Sequence, residues 1–599
     1  MSASSDPGAR ERLRRWLDLP VAMAPSVTYD GGGILFLSTI PGIPSAWRVD
    51  LPRGEPRPLI EGPERIAGIY ASPTAPAAMV ARDHGGDERW QLELVEGEGS
   101  SPSRRSLTSA PETIHTPGGW DRDGRTFYFA ANRRDPRFFD VHAVDVTNGR
   151  IRSLLEEDAW LHVFAVGRGK LVVGRLNTFL DVDLFQIGDG ERLHLNPHEG
   201  ELSVHAATFG HDGVYAAANP GREYTAVVRY RPGRSGHEFV AEYPGDVDLL
   251  RASRDGRRLA VAVNRDGWSE VHLLDLDTLE DRPLTSGPRG VVYQFSWSPD
   301  GASFVYEVSV PDGRDLYVRF VETGKERRLT RPPAGVPAPV PLPRLDRCTA
   351  SDGVRIPYWE FRPGRSPPRG TIVDVHGGPE GQARPEFNRA VAFLVNEGWR
   401  VLLPNVRGSS GYGRTFIHLD DVRKRMDSVR DLKEFVDFVR RDATAAGRVG
   451  VLGGSYGGFM VLASIATYPG LFDAAVDIVG ISNFVTFLEK TGPWRRRHRE
   501  VEYGSLDHDR EFLESISPIR HVENVRTPLL VIHGANDPRV PLHEAEQITA
   551  RLTELQRRVE LLTFADEGHG VIRRPNQEVA YARIAEFFAE HLGAGARPN

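Results

Sequence analysis

The residues able to do chemistry gather in the last 250 positions of the chain, and Ser455 is the first of them. It stands in Gly453-Gly454-Ser455-Tyr456-Gly457, after an apolar strand-like run, Val449 to Leu452, and before a small, apolar helix-like run, Phe459 to Ala466. A strand that turns abruptly into a helix holds its central residue in a strained backbone. A side chain two residues away on either side would clash there, which calls for glycine at both places. The serine hydroxyl then stands clear of the strand ends, beside a helix N-terminus whose free N–H groups favour developing negative charge. The pattern predicts attack on a carbonyl carbon by the Ser455 hydroxyl.

A serine hydroxyl needs a base to take its proton and an acid to orient that base. Thr527 to Gly534 reads as a buried parallel strand, and the loop after it carries Asn536-Asp537-Pro538-Arg539-Val540-Pro541. A second apolar run, Val559 to Phe564, leads into Ala565-Asp566-Glu567-Gly568-His569-Gly570. Asp537 and His569 each fall just past the carboxyl end of a strand, the edge where open α/β sheets carry their chemistry. The order serine, acid, histidine is that of α/β hydrolases. The expected triad is Ser455, Asp537 and His569. Asp566 and Glu567 lie too close to His569 in sequence to reach back to its ring. His533, inside a strand run, reads as a packed histidine, and Ser409 and Ser410 as loop residues. The oxyanion needs N–H donors: the backbone of Tyr456, and a glycine of His376-Gly377-Gly378-Pro379 after the strand-like run Thr371 to Val375. Gly377 and Gly378 are both open for that role.

Taken with Asn405-Val406-Arg407-Gly408-Ser409-Ser410-Gly411-Tyr412-Gly413 and His533-Gly534-Ala535, these motifs resemble the prolyl oligopeptidase family of serine peptidases. The match is nearest to its acylaminoacyl-peptidase and dipeptidyl-peptidase-like bacterial branch. The resemblance implies an α/β hydrolase domain, with a doubly wound, mostly parallel sheet, capped by an all-β seven-bladed propeller. It also implies cleavage of short peptides only. Prolyl oligopeptidase proper and dipeptidyl peptidases use a tyrosine hydroxyl as oxyanion donor where this chain has His376-Gly377-Gly378, which resembles the acylaminoacyl-peptidase arrangement and its backbone glycine donor. Arg539 matches a family arginine that holds a substrate carbonyl, with a structural salt bridge as the competing reading.

The elements that must position these residues need two or more cores, for which 599 residues at 40% hydrophobic content suffice. The first half shows short alternating strands. Asp-Gly turns recur at Asp30-Gly31, Asp123-Gly124, Asp212-Gly213, Asp255-Gly256 and Asp300-Gly301, the last two intervals being 43 and 45 residues. The earlier intervals are near twice that unit, so weakened turns are expected near Ser72-Pro73-Thr74 and Gly167-Arg168-Gly169. Seven units of four strands follow, the period of propeller blades. Six prolines between Pro332 and Pro343 mark an extended hinge. The expected domains are an N-terminal helix in 1–20 (with Leu13, Trp16 and Leu17 on one face), a propeller over 21–335, a hinge over 336–346 and a catalytic domain over 347–599. By resemblance the helix packs on the catalytic domain; a frayed surface helix is the other reading.

Net charge of −7 gives no general field for a nucleic-acid backbone. One basic run, Arg495-Arg496-Arg497-His498-Arg499, reads as a solvated helix face neutralised by Glu500 and Glu502, with a peptide-carboxylate site as the alternative. Phe484, Phe487 and Trp494 are candidate pocket walls, or core. Cys348 is the only cysteine, so neither an intramolecular disulfide nor a cysteine metal cluster is available. No apolar stretch has the length of a signal peptide or a membrane span, and neither a metal-binding nor a phosphate-binding motif is present. The expectation is a cytoplasmic enzyme acting on short peptide substrates, without cofactor, metal, nucleic acid or membrane, with a homo-oligomer left open. A dipeptidyl-peptidase, with Asp87-Glu88 or Glu156-Glu157 holding a free amino terminus, and an esterase or peptide-tailoring hydrolase would use the same triad.

Overall fold

The computed structural model describes residues 7–593 apart from 98, 100–101, 168, 285, 331–334, 366 and 443–446. Pro332, Pro333 and Arg168 therefore lie outside the described residues. From Ala22 to Arg328 the strands fall into seven consecutive antiparallel groups of four, one per blade. The third and fourth blades are joined into one sheet through a single parallel pair, Phe139 with Trp160.

All seven turns expected from the repeat lie between the first and second strands of successive blades. In the first blade Asp30 Oδ1 accepts from Thr28 Oγ1 at 2.7 Å and from the Gly32 N–H at 2.9 Å, and Gly31 adopts a φ of 71°. In the seventh, Asp300 Oδ1 accepts from Ser298 Oγ at 2.6 Å and from the Ala302 N–H at 3.0 Å. The aspartate ties the turn from inside while glycine takes the left-handed conformation that a side chain resists. The ring closes by packing: Ile34, Phe36 and Trp47 of the first blade meet Val305, Leu316 and Val318 of the seventh.

The catalytic domain is one eight-stranded sheet. Its strands are β1 (Arg344–Thr349), β2 (Arg355–Phe361), β3 (Thr371–Val375), β4 (Arg400–Pro404), β5 (Val449–Gly454), β6 (Ala474–Ile478), β7 (Leu529–Gly534) and β8 (Val559–Phe564). The order is β1-β2-β4-β3-β5-β6-β7-β8, parallel from β4 to β8, with β2 antiparallel to β1 and β4. Side chains alternate across it, so Val373, Val451 and Val531 enter one core with Phe435 and Phe459, while Ile372, Leu452 and Leu530 enter another with Phe587 and Phe588. This is the doubly wound arrangement. β1 begins at Arg344, inside the stretch expected to be linker; pairing with β2 overrides the proline-rich approach.

The N-terminal helix, Pro7–Leu17, buries Leu13, Trp16 and Leu17 in the second core, beside Val391, Val395 and the C-terminal helix residue Phe587. Arg12 pairs with Glu397 at 2.6 Å and Arg14 with Glu578 at 2.7 Å. Among the described residues no helix is long and apolar enough to cross a membrane.

Polar contacts tie the two large units together. Arg384 meets Asp248 at 2.7 Å, and Glu223 accepts from the Thr415 N–H at 2.7 Å. His418 lies between Asp421 at 2.7 Å and Glu201 of the propeller at 2.9 Å, and these two carboxylates raise its pKa from 6.5 to about 10. A histidine that charges more readily when folded contributes fully below its unfolded value of 6.5, and that contribution is lost as pH rises through about 10. His418→Gln should therefore unfold at a lower temperature than wild type near pH 6, the gap closing toward pH 10. An equal gap at both ends would refute the role.

Candidate active site

Ser455 sits between β5 and the helix Tyr456–Thr467 with φ 60° and ψ −118°, a backbone that non-glycine residues rarely adopt. A Cβ on Gly457 would fall 2.0 Å from the Val375 carbonyl oxygen, and one on Gly453 would fall 2.3 Å from the Gly457 carbonyl oxygen. Both glycines are thus steric requirements of the elbow. The Ser455 N–H donates to the Ile478 carbonyl at 2.9 Å, which fixes the turn against β6. Tyr456 is the first helical residue, so its N–H has no intrahelical acceptor. Gly377 lies against the turn: a Cβ there would be 3.1 Å from the Gly454 carbonyl oxygen and 3.4 Å from Ser455 Cβ. Gly378 instead turns its carbonyl toward Arg499 Nη1, 3.2 Å, and Tyr503 Oη, 3.3 Å.

Past the end of β7, Asp537 Oδ1 accepts from the N–H groups of Arg539 and Val540 at 2.8 and 3.0 Å, and its Oδ2 lies 2.6 Å from His569 Nδ1. Burial alone would raise the Asp537 pKa. The charge and hydrogen bond of His569, with help from His533 and the backbone, outweigh it and hold the carboxyl below its usual range. His533 is fully buried, its Nε2 2.8 Å from the Val540 carbonyl oxygen, and burial lowers its pKa. It braces the acid loop. Asp566 and Glu567 are engaged elsewhere, by Arg573 and Asn576. Among the described residues Ser455 and His569 make no hydrogen bond to each other. Ser455 follows β5 and His569 follows β8, with β6 and β7 between them, and in unliganded enzymes the serine–histidine contact is commonly loose.

Behind the elbow lies a group that the sequence reading did not single out. Arg425 is fully buried, paired with Asp420 and Glu502, and its Nη1 also donates to Tyr456 Oη at 3.1 Å. Tyr456 Oη meets Ser428 Oγ at 2.8 Å and Asp420 Oδ2 at 3.1 Å. Burial raises the pKa of Asp420 to about 6 and that of Glu502 to about 8 against the pull of Arg425. The signal was present: Arg425 occupies the same stripe of its helix as Val429, Leu432 and Phe435, where a charge has no business unless it is paired.

The propeller reaches this site through the loop around Gly85. Asn536 Nδ2 donates to the Gly85 carbonyl at 3.0 Å, and a Cβ on Gly86 would come 2.5 Å from the Gly568 nitrogen. Glu88 pairs with Arg539 at 2.8 Å. Arg539 thus forms a salt bridge between the domains. Phe484 and Phe487 are core residues and not pocket walls: Phe484 packs on Phe459 and Tyr503, both with ring centroids at 4.8 Å, and Phe487 on Tyr503. Trp494 packs in a cluster with Trp90, Ile114, Phe139 and Trp160 of the propeller. The basic run is a solvated face only at Arg496 and Arg497. His498 is buried between Trp160 and Phe179, Arg499 is buried against Glu380 at 3.1 Å, and Glu502 is committed to Arg425. Only Arg496 makes the expected pair, with Glu500 at 3.0 Å. Arg495, whose buried Nε has no partner, sits near Arg539 and Glu88, and burial lowers its pKa to about 10. The propeller covers this helix, a packing that no local pattern announces.

Residues 385–595 match the model of the prolyl oligopeptidase family. The chain is 26% identical to dipeptidyl aminopeptidase BIII of Pseudoxanthomonas mexicana over 96% of its own length and 87% of that protein's. In structure it resembles a puromycin hydrolase, with a TM-score of 0.85 at 18% identity, covering 100% of this chain and 98% of the other. It also resembles the acylaminoacyl peptidase of Pyrococcus horikoshii, with a TM-score of 0.75 at 19% identity and 98% of each chain covered. At such identities the structural likeness speaks for the fold, a propeller joined to an α/β hydrolase domain. With a relative at 26% identity aligned along nearly the whole length, residues 385–595 form a domain of the prolyl oligopeptidase family of serine peptidases.

Proposed function

We propose that this protein cleaves short peptides through an acyl-enzyme, with Ser455 as nucleophile, His569 as base and Asp537 as the acid that holds the imidazole tautomer. The observation that carries the reading is the 2.6 Å contact of His569 Nδ1 with Asp537, which leaves Nε2 as the proton acceptor at the sheet edge where Ser455 stands. His569 takes the hydroxyl proton as Ser455 attacks the scissile carbonyl. It then passes that proton to the leaving amine, and water resolves the ester. The oxyanion donors are the N–H groups of Tyr456 and Gly377, chosen over Gly378 because Gly377 is the glycine lying against the nucleophile. Arg539, its Nε held by Glu88, has its other N–H groups for a substrate carbonyl.

Two of the four acids offered for a free amino terminus are already paired. Glu88 is paired with Arg539 and has Arg495 nearby, and Glu157 is paired with Arg192. This favours an acylated or otherwise blocked amino end, as in the acylaminoacyl peptidase that the fold resembles. A dipeptidyl-aminopeptidase activity is the second reading, favoured by the relative aligned over 96% of the chain. The propeller acts as a lid that excludes large substrates, supported by the seating of Gly85 and Gly86 on the acid and histidine loops. A single buried cysteine suits a cytoplasmic setting.

One panel of chromogenic substrates tests the reading: N-acylated amino acids, free dipeptides, N-blocked peptides with internal proline, and simple esters, each with wild type and Ser455→Ala. Hydrolysis of acylated or blocked substrates that requires Ser455 is the expected result. Free dipeptides alone would establish the second reading. Esters alone would sink both.

A further inference from the structure

The far end of the propeller channel, away from the catalytic domain, opens into a cavity of about 500 Å³. Among the described residues its walls hold three arginines, Arg122, Arg251 and Arg254, and no aspartate, glutamate, lysine or histidine. In a chain with net charge −7 the wall itself is cationic, while Asp121 and Asp123 lie outside it on the rim beside Arg122 and Arg254. Two of the arginines reach across the opening. Arg122, just past the first strand of the third blade, donates from Nη2 to the Arg254 carbonyl at 2.7 Å, and Arg254 follows the first strand of the sixth. Arg251, on the sixth blade, interacts electrostatically with Tyr70 on the second, nearly opposite in a ring of seven. Two indoles flank the arginines: Trp297 Nε1 donates to the Arg251 carbonyl and Trp120 Nε1 to the Tyr70 carbonyl, both at 2.9 Å. At the inner end of the same cavity Tyr293 hydrogen-bonds Glu386 of the catalytic domain, so the space runs inward toward the domain interface.

We propose that this mouth is a binding site for short acidic peptides, whose carboxylates the guanidinium groups of Arg251 and Arg254 receive between Trp120 and Trp297. Guanidinium forks match carboxylates with paired donors, and the enclosing channel strengthens the contact by thinning the water around it. The enclosure that lowers the Arg251 pKa is relieved by an anion, which returns the counter-charge the channel withholds. Arg122, already anchored to the opposite blade, acts as the bar against which the peptide rests. The site is separate from the triad and adds a choice of charge to a choice of size.

The test reads binding without turnover, so its outcome does not hang on the triad. Full-length protein is titrated with N-acetyl-triglutamate and with its uncharged counterpart, N-acetyl-triglutamine amide, following tryptophan fluorescence and calorimetry. Wild type should bind the acidic peptide at least roughly tenfold more tightly than the neutral one, and the double variant Arg251→Gln/Arg254→Gln should lose that preference. Raising salt from about 50 to about 300 mM should weaken only the acidic peptide. Hydrolysis of a small neutral ester should stay at the wild-type rate in the double variant, showing an intact fold. Equal affinity for both peptides, or an unchanged affinity in the double variant, overturns the proposal. So does displacement of the peptide by an equal concentration of inorganic phosphate, which would make the mouth a general anion trap.

Discussion

Ser455→Ala is expected to lower kcat/KM for a blocked short peptide on the order of 10⁵-fold, the scale on which serine hydrolases lose activity when the nucleophile is removed. The binding of substrate should change little, because the variant removes one oxygen and leaves the elbow intact. Asp537→Asn should cost about 10⁴-fold, since an amide beside His569 Nδ1 favours the wrong tautomer. The double variant should be no worse than Ser455→Ala alone, because the three groups act as a unit. The elbow itself supplies a control. A serine at φ 60° and ψ −118° stores strain that glycine does not feel. Ser455→Gly should therefore be equally inactive yet more stable than Ser455→Ala by about 1 kcal/mol. An active Ser455→Ala protein would dismiss the mechanism, and a less stable Ser455→Gly would dismiss the account of the turn.

The chemistry was legible wherever it is encoded in a few adjacent residues. A Cβ on Gly453 or Gly457 would fall 2.3 or 2.0 Å from a backbone oxygen, and such crowding permits one residue type. Asp537 and His569 each follow directly on an apolar strand, so their place on the sheet edge comes from local pattern plus parallel order. The same holds for the blades, since an aspartate placed in the turn leaves its mark at five of the seven repeats. What escaped depends on residues far apart in the chain. Nothing around Glu88 says that it will meet Arg539, 451 positions later. Trp494 and Phe484 look alike in sequence, both being large aromatic residues near a helix start. Phe484 is buried in the catalytic core, while Trp494 packs partly buried on the propeller, because the helix Pro493–Tyr503 is sandwiched between domains. The basic run misled for the same reason. A surface that another domain covers is written in the same polar letters as a surface that water covers.

Arg425→Met is the substitution away from the triad with the largest expected effect. It leaves Asp420 and Glu502, both buried, without the cation they share, and removing one partner of such a group costs about 3–5 kcal/mol. Urea unfolding should read that loss as a lower midpoint at unchanged slope. The sign of its pH dependence is fixed by the direction of the shifts. Burial already raises both carboxyl pKa values, and without the guanidinium they rise further. A carboxyl whose folded pKa is raised contributes stability when protonated, in full below its unfolded value near 4, and loses it as pH climbs through the folded one. The variant should therefore be most deficient above about pH 8, where Glu502 would otherwise ionise, and should recover on acidification toward about pH 5. Catalysis should follow through Tyr456, whose hydroxyl the cluster holds and whose N–H is the proposed oxyanion donor. The expected pattern is a fall in kcat with KM little changed, partly restored by Arg425→Lys, which returns the charge without the fork. A stability within about 1 kcal/mol of wild type at every pH would mean that the two carboxyls are neutral in the native protein and that Arg425 holds nothing in place.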